Sequence, residues 1–324
     1  MTGELAVVFG GSGFVGRHVV RELARRGWRV RAAVRRPHHA QFLRTMGAVG
    51  QIQLAQANVR HQASIEQALK GADAVVNLVG ILHQEGRQRF GAVQNAGAAA
   101  VAGLAAKAGV RRFVHVSAIG ADPESRSLYA RTKGLAEKAV REAIPGATIL
   151  RPSIIFGAED QFFNKFAAMA TLSPALPLIG GGGTRFQPVY VDDVADAVAA
   201  ALDRPDAAGR TYELGGPSIY TFKELMGLML KTIGRKRILA PVPFALAPLI
   251  GLAGEAIGAL PFFTPPITRD QIRLLKKDNV VGASGEAGIA RLGDLGIAPA
   301  TVEAILPTYM VPFRRHGQFA ELAA

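Results

Sequence analysis

The sequence predicts an α/β fold: a Rossmann-type, doubly wound parallel sheet followed by a smaller, mostly helical C-terminal region. Three observations predict it. Short apolar runs alternate with helical patterns from residue 5 to about residue 216. A glycine-rich turn, GGSGFVG, joins the first apolar run to the first helical pattern. The chain has 324 residues, of which 49% are hydrophobic, and this is enough to fill a large core. We place one domain boundary after residue 216, with residues 157–186 contributing to the cleft and 217–324 forming the second region.

The elements follow in the order that repeated βα units require. LAVVFGG predicts a buried strand ending in a tight turn, and the helix GFVGRHVVRELARRG carries an apolar stripe and ends at Gly27. RVRAAVR predicts the second strand. The later strands and helices alternate in the same way: AVVNLVG, NAGAAAVAGLAAKAGV, RFVHVSA, ARTKGLAEKAVREA and ATILRPS.

After residue 157 the pattern is looser. YVDDVADAVAAALDRP predicts a helix whose Asp192 and Asp193 lie near its start, where acidic groups favour the helix dipole. TYELGG predicts a short strand. From Pro217 the chain is expected to be helical and interrupted by prolines.

Composition excludes several classes of site. The chain has no Cys, which excludes disulfides, thiolate metal sites and a Cys nucleophile. The 7 His residues are dispersed, and no metal site is predicted. The net charge of +13 favours anionic partners. The sequence has neither zinc-finger spacing nor a basic-aromatic RNA-binding motif, so a nucleic-acid partner is not predicted.

The glycine-rich turn predicts a dinucleotide site. Gly10, Gly13 and Gly16 are spaced G-x-x-G-x-x-G between a strand and a helix. Glycines permit a tight turn, close approach of the backbone to a diphosphate, and close packing of helix and strand, while the helix N-terminus offers free N–H donors. Ser12, Phe14 and Val15 lie in the same turn and are counted as candidate cofactor-binding residues.

The end of the second strand selects the cofactor. An acidic residue there would bind a ribose 2′-hydroxyl and favour NAD. This sequence has Arg35 and Arg36 instead, whose guanidinium groups suit a 2′-phosphate. The expected cofactor is therefore NADP(H).

YARTK supplies a candidate catalytic pair. Tyr129 and Lys133 are four residues apart at the start of a predicted helix and share one face. The ammonium would lower the pKa of the phenol and hold the nicotinamide ribose, and the phenol would exchange a proton with substrate. Ser117, at the end of a strand, would hydrogen-bond the same substrate oxygen.

Residues 239–263 form an apolar segment, which we define by that range. It is long enough to span a bilayer, but Pro241, Pro243 and Pro248 break it and Glu255 is costly at mid-bilayer. Two interpretations stay open. The segment faces lipid or a partner, with nearby cations meeting lipid headgroups, or it packs on the protein's own core.

Residues 5 to about 216 resemble the extended or atypical short-chain dehydrogenase/reductase superfamily, in GGSGFVG, NLVG, VSAIGA, YARTK, RPSIIFG and YVDDVADAV. The resemblance implies that Asn58 and Val59 lie near the adenine, although the family usually has Asp at the first position. Ala118 follows Ser117 where the family often has a second Ser. If the catalytic Ser aligns with Ala118, the proton relay is incomplete. The resemblance also places further residues in the cofactor groove: Val79, Gly80, Ile81, Pro152, Ile154 and Ile155.

The C-terminal motifs PPITRDQIRLLKKDNVV, LGDLGIAPATVEAILPTY and FRRHGQF narrow the resemblance to the nucleotide-binding accessory subunits of respiratory complex I, in their bacterial form. That resemblance implies a tightly bound, structural NADPH and a role in assembly or stability near the quinone-site junction. It implies other complex I subunits and anionic lipid as partners, and a peripheral position at the cytoplasmic face of the bacterial inner membrane. Turnover is not expected, and Ser117, Tyr129 and Lys133 would be vestigial. The alternative is an NADP-dependent reductase or a sugar-nucleotide epimerase/dehydratase.

Overall fold

A parallel sheet of eight strands forms the centre of the first of two compact units. The computed structural model describes residues 3–247, 251–252, 268–315 and 317–319. Every neighbouring pair of strands in the sheet is parallel. The strands are β1 (Leu5–Phe9), β2 (Arg29–Val34), β3 (Ile52–Gln56), β4 (Ala74–Asn77), β5 (Arg112–Val116), β6 (Thr148–Pro152), β11 (Thr211–Leu214) and β14 (Ala290–Arg291), and their order is β14-β11-β6-β5-β4-β1-β2-β3.

Helices cover both faces of this sheet, as the sequence predicts. On one face α1 packs against α6, and on the other face α2, α3 and α4 pack side by side. Because both faces are covered, all five residues of β1 and all five of β6 are buried. The helices are α1 (Phe14–Arg25), α2 (Gln62–Leu69), α3 (Ala96–Lys107), α4 (Leu128–Ala143) and α6 (Val191–Asp203).

Local sequence sets the ends of the helices that matter for the site. Gly13 is the N-cap of α1, and Gly27, at φ 87°, turns the chain into β2. Ser127 caps α4, because its hydroxyl accepts a hydrogen bond from the Ala130 N–H at 3.3 Å. This cap fixes the first turn of the helix that carries Tyr129 and Lys133.

The strand β3 was not among the predicted elements. Ile52 and Leu54 lie on one side together with Gln56, Gln53 and Ala55 lie on the other, and the strand is at the edge of the sheet beside β2. An edge strand needs only one buried face, so its apolar signal is shorter than that of the central strands.

The chain crosses repeatedly between the two units. The first unit comprises Met1–Pro152, Val191–Leu214 and Ser284–Ala298, and the second comprises Ser153–Tyr190, Gly215–Ala283 and Pro299–Ala324. We predicted one boundary after residue 216, whereas these units interleave. The physical reason is strand pairing: Tyr212 and Glu213 in β11 pair with Ala290 and Arg291 in β14, which returns the chain to the central sheet.

The second unit is built from short strands and helices around an aromatic core. Its strands are β7 (Ile155–Phe156), β8 (Ala175–Ile179), β9 (Arg185–Phe186), β10 (Val189–Tyr190), β12 (Tyr220–Thr221) and β13 (Ile238–Val242). They pair as β10 with β7, β12 with β9, and β13 with β8. The helices are α5 (Phe163–Leu172), α7 (Phe222–Thr232), α8 (Arg269–Leu274) and α9 (Val302–Tyr309). Phe156, Phe163 and Phe222 are among its buried residues.

The apolar segment is only partly described. Its residues 248–250 and 253–263, with Pro248 and Glu255, lie outside the described residues. Its first part is not helical, because residues up to Val242 form β13 beside β8. Leu246 and Leu252 are exposed, at 55% and 52% of their surface. Among the described residues, no helix is both long and apolar enough to cross a membrane.

A buried ion pair connects α4 to β6. Nε and Nη2 of Arg151 donate to the Glu137 carboxylate at 2.7–3.2 Å, and both residues are less than a tenth exposed. Nη1 of Arg151 donates to Glu286 at 2.6 Å. Burial alone would lower the pKa of Arg151, but the hydrogen bonds and charges of both carboxylates raise it. All three residues belong to the first unit.

We expect Arg151→Leu to destabilise the protein by roughly 3–5 kcal/mol, because it leaves the Glu137 carboxylate buried without its partner. Urea unfolding measures the loss. The matched control is Arg204→Leu, which breaks the exposed ion pair with Asp206 and should cost less than about 1 kcal/mol. Equal losses in the two variants would contradict a dominant role of the buried pair.

Candidate nucleotide-binding site

The predicted site residues of the first unit lie at one edge of the central sheet. Because its strands are parallel, their carboxyl ends share this edge. In strand order, the predicted site residues in the segments that follow the strands start with Asn58 after β3, Arg35 after β2, Gly10 after β1, Val79 after β4 and Ser117 after β5. In open α/β sheets, ligands bind outside the carboxyl ends of the strands, where the strand order reverses. Here the order reverses between β1 and β4.

The glycine turn has the close backbone contacts that the motif predicts. Gly10 has φ 84°, and its carbonyl oxygen accepts a hydrogen bond from Gly13 N–H at 3.0 Å. A Cβ on Gly16 would collide with the Gly10 carbonyl oxygen and lie 2.8 Å from the Gly11 carbonyl carbon. Only glycine therefore allows α1 to begin this close to β1. Ser12, Phe14 and Val15 are half-buried beside the start of α1.

Arg35 and Arg36 follow the last residue of β2 and are exposed. Among the described residues, neither guanidinium has a hydrogen-bond or ion-pair partner. Arg36 is the N-cap of a run of 3-10 turns at Pro37–Met46. The two cations are thus accessible at the position that discriminates between a ribose 2′-hydroxyl and a 2′-phosphate.

Asn58 and Val59 are fixed in the turn after β3. Ser64 Oγ accepts a hydrogen bond from the Asn58 N–H at 3.0 Å, and the Asn58 side chain accepts one from the Arg60 N–H at 3.1 Å. Val59 packs against Gly97 in α3, where a Cβ would be only 2.8 Å from a Val59 methyl group. These contacts hold the backbone of the turn in one position.

The segment after β4 is held by a residue that the sequence analysis did not single out. Asn77 is buried, and its side-chain oxygen accepts a hydrogen bond from Val79 N–H at 3.2 Å. Its Nδ2 donates to His115 Nδ1, also at 3.2 Å. Val79 and Ile81 are half-buried and Gly80 is exposed. The signal for Asn77 was present in the sequence: it is the one amide side chain in the apolar run AVVNLVG.

Lys133 is placed against this segment. It is 5% exposed, and its Nζ donates to the Val116 carbonyl oxygen at 3.1 Å. A Cβ on Gly80 would lie 3.4 Å from the same Nζ. Burial lowers the pKa of Lys133 to about 8, an effect that the negative charge of Glu137 opposes. At pH 7 the group is still mainly an ammonium ion, available to a ligand hydroxyl.

Tyr129 does not have the lowered pKa that the sequence analysis expected. Burial raises the pKa of its phenol to about 12. Its ring packs edge-on against Phe90, with the centroids 5.8 Å apart. Desolvation disfavours the phenolate at this position. Tyr129 is therefore a neutral phenol at physiological pH.

Two buried polar atoms on β5 and just after it have no partner among the described residues: Ser117 Oγ and His115 Nε2. Ser117 is 3% exposed. Because Asn77 donates to His115 Nδ1, the imidazole proton lies on Nε2. Burial, together with the charge of Lys133, lowers the pKa of His115 to about 3, so the ring is neutral. Buried polar groups are seldom unpaired in native proteins, and a bound polar molecule would satisfy Ser117.

Pro152 is buried at the end of β6, in the first unit. Ile154 and Ile155 belong to the second unit, where Ile155 pairs with Val189. Both isoleucines are half-buried. Their assignment to the nicotinamide end stays a prediction.

The residues of the first unit fit a dinucleotide. The glycine turn and the start of α1 offer backbone N–H groups to a diphosphate, Arg35 and Arg36 offer cations at the ribose position, and Ser117 and Lys133 offer donors further along the edge. A bound nicotinamide cofactor would supply a hydride. The site shows no low-pKa phenol to accompany it. Among the described residues, no cluster of His, Cys, Asp or Glu could hold a metal ion.

The family model described as "NAD dependent epimerase/dehydratase family" matches residues 6–215. The NADH dehydrogenase (ubiquinone) 1 alpha subcomplex subunit 9 of Arabidopsis thaliana is 34% identical over 98% of this chain and 80% of its own length, and that of Mus musculus is 35% identical over 100% and 83%. The ceramide reductase of Caulobacter vibrioides is 31% identical over 74% of each chain. Among solved structures, DesIV, a dTDP-glucose 4,6-dehydratase of Streptomyces venezuelae crystallised with NAD, has a TM-score of 0.71 over 98% of this chain and 99% of its own, at 20% identity.

We expect Lys133→Met to stabilise the nucleotide-free protein at pH 7 by roughly 1–3 kcal/mol, because it removes a buried charge. The Lys133 pKa is 10.5 unfolded and about 8 folded, so folding is disfavoured while the group is charged in the folded state. That cost disappears as the pH rises from about 8 to 10.5. In urea unfolding, the difference in the free energy of unfolding between variant and wild type should therefore be smaller at pH 9.5 than at pH 7.

The matched control for this prediction is Lys138→Met, which removes an exposed lysine of the same helix. It should change stability little at either pH. If the difference in the free energy of unfolding between Lys133→Met and wild type did not vary with pH, this would contradict the assigned pKa shift.

Proposed function

Because the chain belongs to the NAD dependent epimerase/dehydratase family, and within it to the family of complex I alpha subcomplex subunit 9, we propose that it is an accessory subunit of NADH:ubiquinone oxidoreductase that holds NADPH as a structural ligand. The observation that carries this proposal is the similarity to those subunits along essentially the whole chain. A relative matched only through the Rossmann domain would support the fold and not this role.

The choice of NADPH rests on the loop after β2. Arg35 and Arg36 are exposed there, and no carboxylate occupies that position in the sequence. A 2′-phosphate would gain charge-assisted hydrogen bonds from them, whereas NADH has no group to receive these bonds. Tight binding would stabilise the fold, by about 4 kcal/mol at a thousand times the dissociation constant. NADPH would in this way support assembly and stability of the complex.

A structural rather than catalytic ligand is supported by the state of the site. Hydride transfer from NADPH to a carbonyl must be accompanied by a proton to the oxygen. Tyr129, with its pKa raised to about 12, is a poorer proton donor than an ordinary phenol. Ala118 occupies the position after Ser117. We therefore propose that Ser117, Tyr129 and Lys133 act here as ligand-binding residues.

The proposed location is the cytoplasmic face of a bacterial inner membrane, as a peripheral subunit near the quinone-site junction. The exposed Leu246 and Leu252 of the apolar segment, with Ile238 of β13, offer apolar surface to lipid or to a membrane subunit. Lys236 and Arg237 precede them, and the net charge of +13 favours anionic lipid and acidic partner subunits.

A second candidate function, an NADP-dependent reductase, is favoured by the ceramide reductase relative and by the retained Tyr129 and Lys133. In that case NADPH would deliver a hydride to a substrate carbonyl carbon, and the Tyr129 hydroxyl would give its proton to the carbonyl oxygen. The two functions differ in what the loss of Tyr129 should do.

The double variant Arg35→Ala/Arg36→Ala should bind NADPH about 10- to 100-fold more weakly, because it loses two charged donors to the 2′-phosphate. Affinity for NADH should change less than about twofold. Fluorescence titration with both nucleotides measures this. Arg204→Ala/Arg210→Ala removes the same charge outside the site and serves as control. Equal weakening of NADPH and NADH binding would overturn the cofactor assignment.

In gently solubilised membranes, the wild-type chain should migrate with NADH:quinone oxidoreductase, and Arg35→Ala/Arg36→Ala should reduce the assembled fraction. Tyr129→Phe keeps the ring packed on Phe90 and loses only one hydroxyl, so it should lower the assembled fraction less than Arg35→Ala/Arg36→Ala does. Normal assembly with an empty nucleotide site would refute the structural role of NADPH. Turnover of NADPH with a carbonyl substrate that Tyr129→Phe abolishes, in a chain that does not migrate with the complex, would establish the reductase instead.

A further inference from the structure

A π-helical turn at Gly91–Asn95, just before α3, places Gln94 in the interior of the first unit. Gln94 is 1% exposed. Single π-helical turns are uncommon and are frequent at functional sites. Nothing in the cofactor motifs assigns a role to this glutamine.

Both ends of the Gln94 amide are used. Nε2 donates to the Ile81 carbonyl oxygen at 2.6 Å, and Oε1 accepts from Thr132 Oγ1 at 3.0 Å. This orientation is the only one the chemistry allows, because a flipped amide would point its oxygen at the Ile81 carbonyl oxygen. Gln94 therefore bridges two segments that are 51 residues apart in the chain, Ile81 and Thr132.

Both partners belong to the candidate site. Ile81 ends the segment Val79–Ile81 after β4, and Thr132 lies in α4 between Tyr129 and Lys133. Phe90, one turn before Gln94, packs on the Tyr129 ring. Residues 90–94 thus contact α4 twice, while Gln94 alone also holds the segment after β4. The bridge fixes the distance between that segment and the Lys133 ammonium, which approaches Gly80.

We propose that Gln94 is a positioning residue for the nicotinamide half of the dinucleotide; the inference rests on the proposed nucleotide binding. The strand order explains which half is concerned. The diphosphate lies at the glycine turn after β1, and the adenosine half extends towards Arg35 after β2. The other half must extend in the opposite direction, past the segment after β4 towards Ser117 after β5. By connecting Ile81 to Thr132, Gln94 fixes the separation between the segment after β4 and α4, where the nicotinamide half would lie.

A purely structural role would give a different result, and the chain offers a matched control. Gln51 is 7% exposed, its Nε2 donates to the carbonyl oxygens of Ala24 and Trp28 at 2.6 and 3.0 Å, and its Oε1 accepts from Ala48 N–H at 2.8 Å. It precedes β3 and so lies at the amino end of the strands, on the edge opposite the site. Loss of Gln51 costs buried hydrogen bonds without touching the nucleotide path.

The test compares NADPH with adenosine 2′,5′-bisphosphate, which carries only the adenine half. For Gln94→Leu we expect NADPH to bind about tenfold more weakly and adenosine 2′,5′-bisphosphate to bind as it does to wild type, since the hydrogen bond to the Ile81 carbonyl oxygen and the one from Thr132 are both lost. Gln51→Leu should lower the urea midpoint while leaving both affinities unchanged. Thr132→Val removes one end of the bridge and should weaken NADPH by a smaller factor, so the proposal stays testable if Gln94→Leu does not fold.

Unchanged NADPH affinity in Gln94→Leu or, if that variant does not fold, in Thr132→Val would overturn the proposal. Equal weakening of both ligands in the variant that folds would do so too, because it would indicate a general loss of structure. Failure of the wild-type chain to bind NADPH would instead overturn the proposed function. The wild-type titration therefore separates the two failures.

Discussion

The contact between Gly16 and the Gly10 carbonyl oxygen is the constraint on which the first unit depends. It lets α1 start immediately after β1, so that the helix N-terminus points at the sheet edge where the other segments converge. Any side chain at residue 16 would push the helix away and widen the turn. The position of α1 in turn sets where α6 packs, and with it one whole face of the sheet. The absence of a side chain at Gly16 thus sets both the shape of the glycine turn and the packing of helices on one face of the sheet.

Buried polar groups in and near α4 lower the stability of the fold at the candidate site. Lys133 is held as a cation in a place that disfavours charge, and His115 and Ser117 carry unpaired polar atoms nearby. By contrast, the neighbouring Arg151 and Glu137 are fully paired. The paired residues connect α4 to β6, whereas the unpaired atoms of His115 and Ser117 are candidates for contact with a ligand. Gln51 and Gln94 are both hydrogen-bonded at each end of the amide, and they differ in their surroundings, because only Gln94 lies beside the candidate site.

Much of the fold was predictable because its central strands are buried on both faces and give continuous apolar runs. The glycine turn was predictable because its geometry excludes other residues. The short strands of the second unit were not predicted, and β12 and β13 lie where the chain was expected to be helical. Three further features were not predicted either. The edge strand β3 has a short apolar pattern. The position of Gln94 depends on a π-helical turn, which no local sequence pattern predicts. The strand β14 pairs with β11 in a register that is set by tertiary structure. The pKa of Tyr129 went against expectation, because burial by Phe90 is invisible from the spacing of YARTK. The family and its complex I relatives were recognisable from the motifs of the C-terminal half.

The return of residues 284–298 to the first unit has a consequence for biosynthesis. The ribosome synthesises the strands β1 to β6 well before β14. Until β14 is made, β11 is an unpaired edge of the nascent sheet, and Arg151 lacks its ion-pair partner Glu286. Cooperative closure of this unit is therefore postponed until residues 284–298 have been translated. During that interval, binding of a chaperone or of a nucleotide would protect the unpaired edge of the incomplete sheet from aggregation.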